Sequence, residues 1–309
     1  MFNIALIFIE DQVLEVTNNN LSVYGLPRPV RVKQPVVCKE ILCEMAYAHG
    51  ELRRHVEINE PLLLEKQRAA YQTILEKIEQ SSDGMVFLHA PGGTGKTFVT
   101  NLVLAKVRES GKIALAVASS GIAATLLPGG RTAHAALKLP FNLARTENPV
   151  CNIKKNSGTA QLLQRYVLIV WDECTMSHKL TFEALNLTLK DLHENNRLFG
   201  EVTLLLSEDF RQTLPVIQRS TPADEINACI KSLFLWLSVV QLHLTRNMRA
   251  VILGNKTSAH FAAGLLRIGE GRLPVSAEDG LVSLDGYATF VDSTEELQEK
   301  VYPNLRQRV

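Results

Sequence analysis

The chain has 309 residues, with 33 Lys and Arg against 32 Asp and Glu for a formal charge of +1, and it is 46% hydrophobic and 21% charged. That apolar content supplies a packed core and excludes disorder as the main state. The longest clean apolar runs, residues 4–9 and 113–118, fall far short of the ~18 residues a membrane-spanning helix needs. The near-neutral balance shows no basic excess of the kind that marks nucleic-acid binding, so any such reading must come from motifs.

At about 150 residues per domain the length leaves room for roughly two domains. The cysteines (Cys38, Cys43, Cys151, Cys174 and Cys229) are odd in number and scattered, which argues against a disulfide framework and fits a reducing compartment. Cys38, Cys43, His49 and His55 are spaced too closely in the middle for a zinc finger, and no metal site is expected there. The N-terminal MFNIALIFIEDQ has no basic flank and no small-residue cleavage site; it reads as a buried helix or strand rather than a signal peptide.

In chain order, residues 1–60 carry short apolar segments broken by Asn18, Asn19 and Asn20 and by Pro27 and Pro29, with helical spacing over residues 36–52. Residues 62–80 read as a helix that ends at Ser81-Ser82-Asp83-Gly84. From Met85 the pattern changes. Apolar strands are predicted at residues 85–89, 113–118, 166–171 and 202–206, and helices at 97–109 and 182–192. Alternation of this kind predicts an α/β fold, with a parallel sheet covered by helices on both faces. Residues 140–164 read as a long polar connection with a short helix near its end.

The first strand runs into Ala90-Pro91-Gly92-Gly93-Thr94-Gly95-Lys96-Thr97, which opens the next helix. This is a phosphate-loop pattern, with Ala90 in the place of the first glycine. A polyphosphate needs many donors at close range. Glycines let the backbone N–H groups converge on it, and the helix N-terminus adds partial positive charge. Lys96 supplies a full charge for the β- and γ-phosphates, and the Thr97 hydroxyl is placed to hold Mg²⁺.

The strand of residues 166–171 ends in Asp172-Glu173, at the edge of a parallel sheet where ligands sit. Asp172 suits Mg²⁺ held through water. Glu173 suits a general base that takes a proton from an attacking water. The adjacent glutamate favours hydrolysis over the phosphoryl transfer of a kinase. Two later segments add polar candidates: Ser207-Glu208-Asp209-Phe210-Arg211-Gln212, where Gln212 suits a γ-phosphate sensor and Arg211 an acid partner, and residues 244–249, where Arg249 suits a phosphate-contacting arginine.

Taken together and in this order, LEKQRAAYQTILEKI (64–78), APGGTGKT, ASSGIAATLLPGGRTAHAALKLP (118–140), WDEC, DFRQTLPVI (209–217) and LTRNMR resemble the PIF-type (petite integration frequency) ATP-dependent DNA helicases. The helicase portion of Helitron-like elements is especially similar. The resemblance implies a RecA-like phosphate-loop NTPase domain over residues 61–250, after a partly helical leader at 1–60. It implies ATP and Mg²⁺ as cofactors and 5′-to-3′ movement on single-stranded DNA. Recombination, repair or telomere maintenance and a nuclear location follow from it. It assigns Gln67 to reading adenine. Lys96, Thr97, Asp172, Glu173, Gln212 and Arg249 fall to ATP chemistry, and Ser119, Ser120, Thr132 and His134 to the DNA strand.

The sequence departs from the family in three places. Ser207-Glu208 stands where Gly-Gly is usual, putting bulk and negative charge beside the phosphates. Leu64 replaces the asparagine common ahead of Gln67. Residues 251–309 resemble the connector toward a second RecA-like domain and carry none of that domain's motifs. A single lobe cannot step along DNA, so the alternative to a working helicase is a remnant that binds nucleotide and does not unwind.

Overall fold

A computed structural model describes residues 20–29, 44–80, 84–140, 149–217, 219–248, 256–276 and 280–303, with isolated positions at 6, 9, 10, 13 and 41. Residues 36–40 and 42–43 of the expected helical spacing, most of the N-terminal segment expected to be a buried helix or strand, and Arg249 lie outside the described residues. The chain divides into two compact units, residues 1–90 with 95–245, and residues 91–94 with 246–309.

The first unit is built on a sheet of six strands, all paired in parallel, in the order β3-β2-β4-β5-β1-β6. The strands are β1 (Gly84–His89), β2 (Ile113–Ala118), β3 (Arg131–Thr132), β4 (Tyr166–Asp172), β5 (Thr203–Glu208) and β6 (Val240–His243). Four of them match the apolar runs of the sequence. Side chains of period two divide between two cores. Met85, Phe87, Leu115, Val117, Ile169, Trp171, Leu204 and Leu206 face one core. Val86, Leu88, Ala114, Ala116, Leu168, Val170 and Leu205 face the other. The strands are therefore apolar on both faces, and they read in sequence as continuous apolar runs rather than as alternation.

Helices cover both faces. One side takes α1 (His49–Asn59), α2 (Glu65–Glu79) and α3 (Lys96–Glu109), through Val56, Tyr71, Ile74, Val99, Leu102 and Val103. After the short α4 (Gly121–Thr125) and α5 (Ala133–Leu137) come α6 (Gly158–Leu163) and α7 (Lys179–His193). These bring Ala160, Leu163, Phe182, Leu185 and Leu189 to the other side. The helix α8 (Pro222–Ala228) precedes β6. Gly130 fits closely in the turn after α4, where a Cβ would collide with the Ala124 carbonyl.

Residues 44–47 are tied to this unit by the buried Arg108. Its guanidinium donates to the carbonyls of Pro128 (2.8 Å) and Ala114 (3.1 Å), stands 3.9 Å from Glu44 and lies over the Tyr47 ring at 4.3 Å. Two of its five donors are thus spent on carbonyls, and its Nε is buried without a hydrogen-bond partner.

In the second unit, α9 (Lys256–Gly269) is followed by an isolated antiparallel bridge between Val275 and Val282 and by α10 (Thr294–Val301). A Cβ at Gly264 would overlap the Tyr287 ring, and Arg267 donates to the Tyr287 hydroxyl at 3.1 Å. No helix among the described residues is long and apolar enough to cross a membrane.

Candidate nucleotide site

The sheet order places the tip of β5 between the tips of β1 and β4. The carboxyl ends of these three strands gather most of the sequence-predicted ATP residues, and the reason is topological: the loop that follows β1 starts α3, so the first residue of that helix faces the neighbouring tips.

The phosphate loop itself turns through left-handed backbone at Gly93 (φ 83°) and Gly95 (φ 85°), where glycine avoids the steric cost of a side chain. Within the loop the Thr94 hydroxyl donates to the Pro91 carbonyl at 2.8 Å. Met248 N–H donates to the Gly93 carbonyl at 2.7 Å, and the Asn247 amide donates to that of Gly92 at 3.4 Å. Asn247 and Met248 are thus fastened to the loop. Ala90 N–H donates to the Glu208 carbonyl at 3.2 Å, which extends the β1–β5 ladder to the start of the loop.

Lys96 is the first residue of α3. Its Nζ lies 3.2 Å from Asp172 Oδ1 and 3.3 Å from Glu208 Oε1. Burial works against the lysine charge, but the two carboxylates outweigh it and hold its pKa above the ordinary value. Asp172 is 4% exposed and Glu208 only 2%. Burial pushes the Glu208 carboxyl up, against the pull of Lys96. Ser207 Oγ donates to Asp172 Oδ1 at 3.0 Å, and Glu208 Oε1 accepts from Asp209 N–H at 2.8 Å. Thr97 is half-buried in the same first turn as Lys96.

Glu173 follows with left-handed backbone (φ 53°), an uncommon state for a residue other than glycine. Its Oε2 accepts a 2.5 Å hydrogen bond from Ser120 Oγ. That hydroxyl also caps α4 by accepting from Ala123 N–H at 3.2 Å. Ser119 Oγ accepts from the Trp171 indole N–H at 3.0 Å and lies 2.9 Å from Ser177 Oγ. Thr132 pairs with Ala118 across β3 and β2 and precedes α5, whose His134 is exposed. The four residues assigned to DNA therefore share the β2–β3 end of the sheet, and Ser120 joins that end to Glu173.

Gln67 is 5% exposed. Its Oε1 accepts from Leu64 N–H at 3.1 Å, half of a capping box whose other half leucine has no oxygen to supply. Its amide lies against Gly95, where a Cβ would stand 2.5 Å from Gln67 Nε2. The missing asparagine at Leu64 thus leaves Gln67 placed beside the phosphate loop's last glycine. Gln212 is exposed in the turn after β5, which its backbone N–H closes on the Asp209 carbonyl at 3.0 Å.

Arg211 does find an acid. It lies 3.2 Å from Asp209 Oδ1 and 3.3 Å from His89 Nε2. Burial lowers the His89 pKa, with Asp209 pulling the other way. Sequence reasoning missed three roles here: Ser207 holding Asp172, Glu208 pairing with Lys96, and His89 joining the Arg211–Asp209 pair. The only sequence signal for the first two was the departure from Gly-Gly.

The parallel sheet and the glycine loop define the chain as a phosphate-loop NTPase. A family described as PIF1-like helicase matches residues 62–279, and the chain belongs to that family. It is 30% identical over 134 residues to the ATP-dependent DNA helicase Pif1 of Psychrobacter, covering 43% of this chain and 20% of that protein. It is 29% identical over 162 residues to the human ATP-dependent DNA helicase PIF1, covering 52% of this chain and 24% of that protein. Among solved structures, Bacteroides Pif1 helicase in complex with ADP-AlF3 and ssDNA matches with a TM-score of 0.55 and 20% identity, over 75% of this chain and 55% of that one. The Candida albicans Pif1 helicase matches with a TM-score of 0.53 and 22% identity, over 71% and 50%. The chain spans about a quarter or less of these curated relatives and about half of the solved chains.

Proposed function

We propose that residues 61–250 are the first motor domain of a 5′-to-3′ DNA helicase, that they bind and hydrolyse ATP with Mg²⁺, and that residues 1–60 and 251–309 are a leader and a connector. The observation that carries this reading is the seating of Lys96 between the β4 and β5 tips, with Asp172 at 3.2 Å and Glu173 next in sequence.

The donor set suits both groups. Residues 90–97 would cradle the phosphates, with Gln67 beside Gly95 for the base. Thr97 and Asp172 would hold Mg²⁺, which commonly keeps its waters and takes one or two protein oxygens beside the phosphates. When bound, the metal would supply neutralisation of charge on the transferring phosphoryl group. Glu173 accepts the proton of the attacking water, and Lys96 holds negative charge as it develops. Gln212 and Arg249 are proposed as the γ-phosphate sensor and a charge-stabilising arginine.

The single-stranded DNA partner is proposed for Ser119, Ser120, Thr132 and His134, and work in recombination, repair or telomere maintenance from the family resemblance alone. Calorimetric titration with ATP and Mg²⁺ tests the core of the reading. Binding is expected for the unaltered chain and loss of it, beyond about 100-fold, for Lys96→Ala; equal binding by both contradicts it. A second reading, nucleotide binding without motor work, is favoured by one observation, the Glu208 carboxylate on Lys96.

A further inference from the structure

We propose that Glu208 sets the nucleotide preference of this site, making it discriminate against the triphosphate and in favour of the diphosphate. The inference rests on the reading of Lys96 as the phosphate-binding lysine.

An ammonium has three N–H donors. In this structure Lys96 faces two carboxylates, Asp172 at 3.2 Å and Glu208 at 3.3 Å. With Asp172 alone the pair would be neutral. Glu208 makes the cluster net negative before any phosphate arrives. The charge has little outlet. Glu208 is 2% exposed, and its further contact is the Asp209 N–H at 2.8 Å. The Ser207 hydroxyl, which is the other polar group on this tip, is directed to Asp172 instead. Asp172 therefore keeps a partner when Lys96 turns to phosphate, whereas Glu208 loses the one full charge that compensates it. A buried carboxylate stripped of its counter-ion is costly.

A second effect adds to the first. Repulsion between a fixed carboxylate and the bound phosphates grows with the phosphate charge. Magnesium-bound ATP carries one more negative charge than magnesium-bound ADP, and the extra charge is on the γ-phosphate. Lys96 is expected to serve both the β- and γ-phosphates, so the first cost falls on both nucleotides and this repulsion falls more heavily on ATP. A glycine, usual at this place in the family this chain resembles, would impose neither cost. Sequence alone marks Glu208 as a misfit near the phosphates. The structure shows that it competes for the lysine itself.

The test is equilibrium binding of ATP and of ADP, each with Mg²⁺, by calorimetry on the full chain and on Glu208→Gln, Glu208→Gly and Lys96→Ala. Glutamine keeps the size of the side chain and an acceptor for Asp209 N–H, so a matched melting temperature separates charge from fold. Both Glu208 variants are expected to bind ATP about tenfold tighter or more and to tighten ADP by less, so the ATP-to-ADP preference moves at least about threefold toward ATP. ATP binding in both variants equal to or weaker than in the unaltered chain, or an ATP-to-ADP preference that does not move, overturns the inference and leaves the site reading standing; a weaker value is the result if Glu208 serves as a magnesium ligand. Equal binding by Lys96→Ala and the unaltered chain, or no binding of either nucleotide by any form, overturns the site reading and the inference with it.

Discussion

The carboxyl edge of the sheet has two unlike ends. At the tips of β1, β4 and β5 the chain buries charge: Lys96, Asp172 and Glu208 meet within 3.3 Å, with a serine on Asp172. At the tips of β2 and β3 it places neutral hydroxyls on half-buried Ser119, Ser120 and Thr132, beside an exposed His134. A polyphosphate demands concentrated charge and fixed donors, whereas neutral hydroxyls are among the groups that can contact a nucleic-acid backbone. The two ends meet through the backbone, where Ser119 N–H donates to the Asp172 carbonyl at 3.1 Å, and through one side-chain pair, Ser120 to Glu173 at 2.5 Å. The side chain proposed to take a proton at the charged end is thus held by the residue that caps α4 at the hydroxyl end.

The largest expected effect on this contrast comes from Glu173→Gln. Loss of the proton acceptor is expected to lower ATP turnover by about 10²–10⁴-fold and to leave ATP affinity within about twofold, as read by phosphate release beside calorimetry. Ser207→Ala comes next. It removes the hydroxyl donor from a buried charged acceptor, at an expected cost of about 1.5–3 kcal/mol, visible in the denaturation midpoint. Ser120 separates capping from coupling. Ser120→Ala is expected to cost ~1 kcal/mol through the lost α4 cap, and Ser120→Gly only a few tenths. Both free Glu173, so both are expected to raise DNA-free turnover several-fold, while Ser120→Thr, which keeps a hydroxyl, restores the unaltered ratio. A rise in alanine alone would point to α4 and away from Glu173.

The smallest effect is a pH response. Burial holds His89 below its ordinary value of 6.5, so the unfolded chain binds this proton first as pH falls. The stability this neutral imidazole contributes is full above about pH 6.5 and declines below it, toward the lowered folded value. Urea midpoints at pH 7 and pH 5 are expected to differ more for the unaltered chain than for His89→Gln.

The strands that were legible in the sequence are those buried on both faces. β1, β2, β4 and β5 announce themselves as apolar runs because both cores need them. β3 is two residues long, and β6, at the other edge, is partly exposed with polar Gln241 and His243. Both owe their strand character to a neighbour rather than to composition. The loop, Lys96, Asp172 and Glu173 were legible because their chemistry is compressed into short segments. Glu208 was visible only as a misfit, since its pairing needs β5 inserted between β1 and β4, a long-range fact. Gln67 was assigned by resemblance, and its approach to Gly95 depends on how α2 packs on α3.

Phosphate release from ATP, with and without single-stranded DNA, tests the motor-domain reading most directly. Turnover that rises with DNA and vanishes in Lys96→Ala is the expected result. Turnover indifferent to both DNA and Lys96 would contradict it.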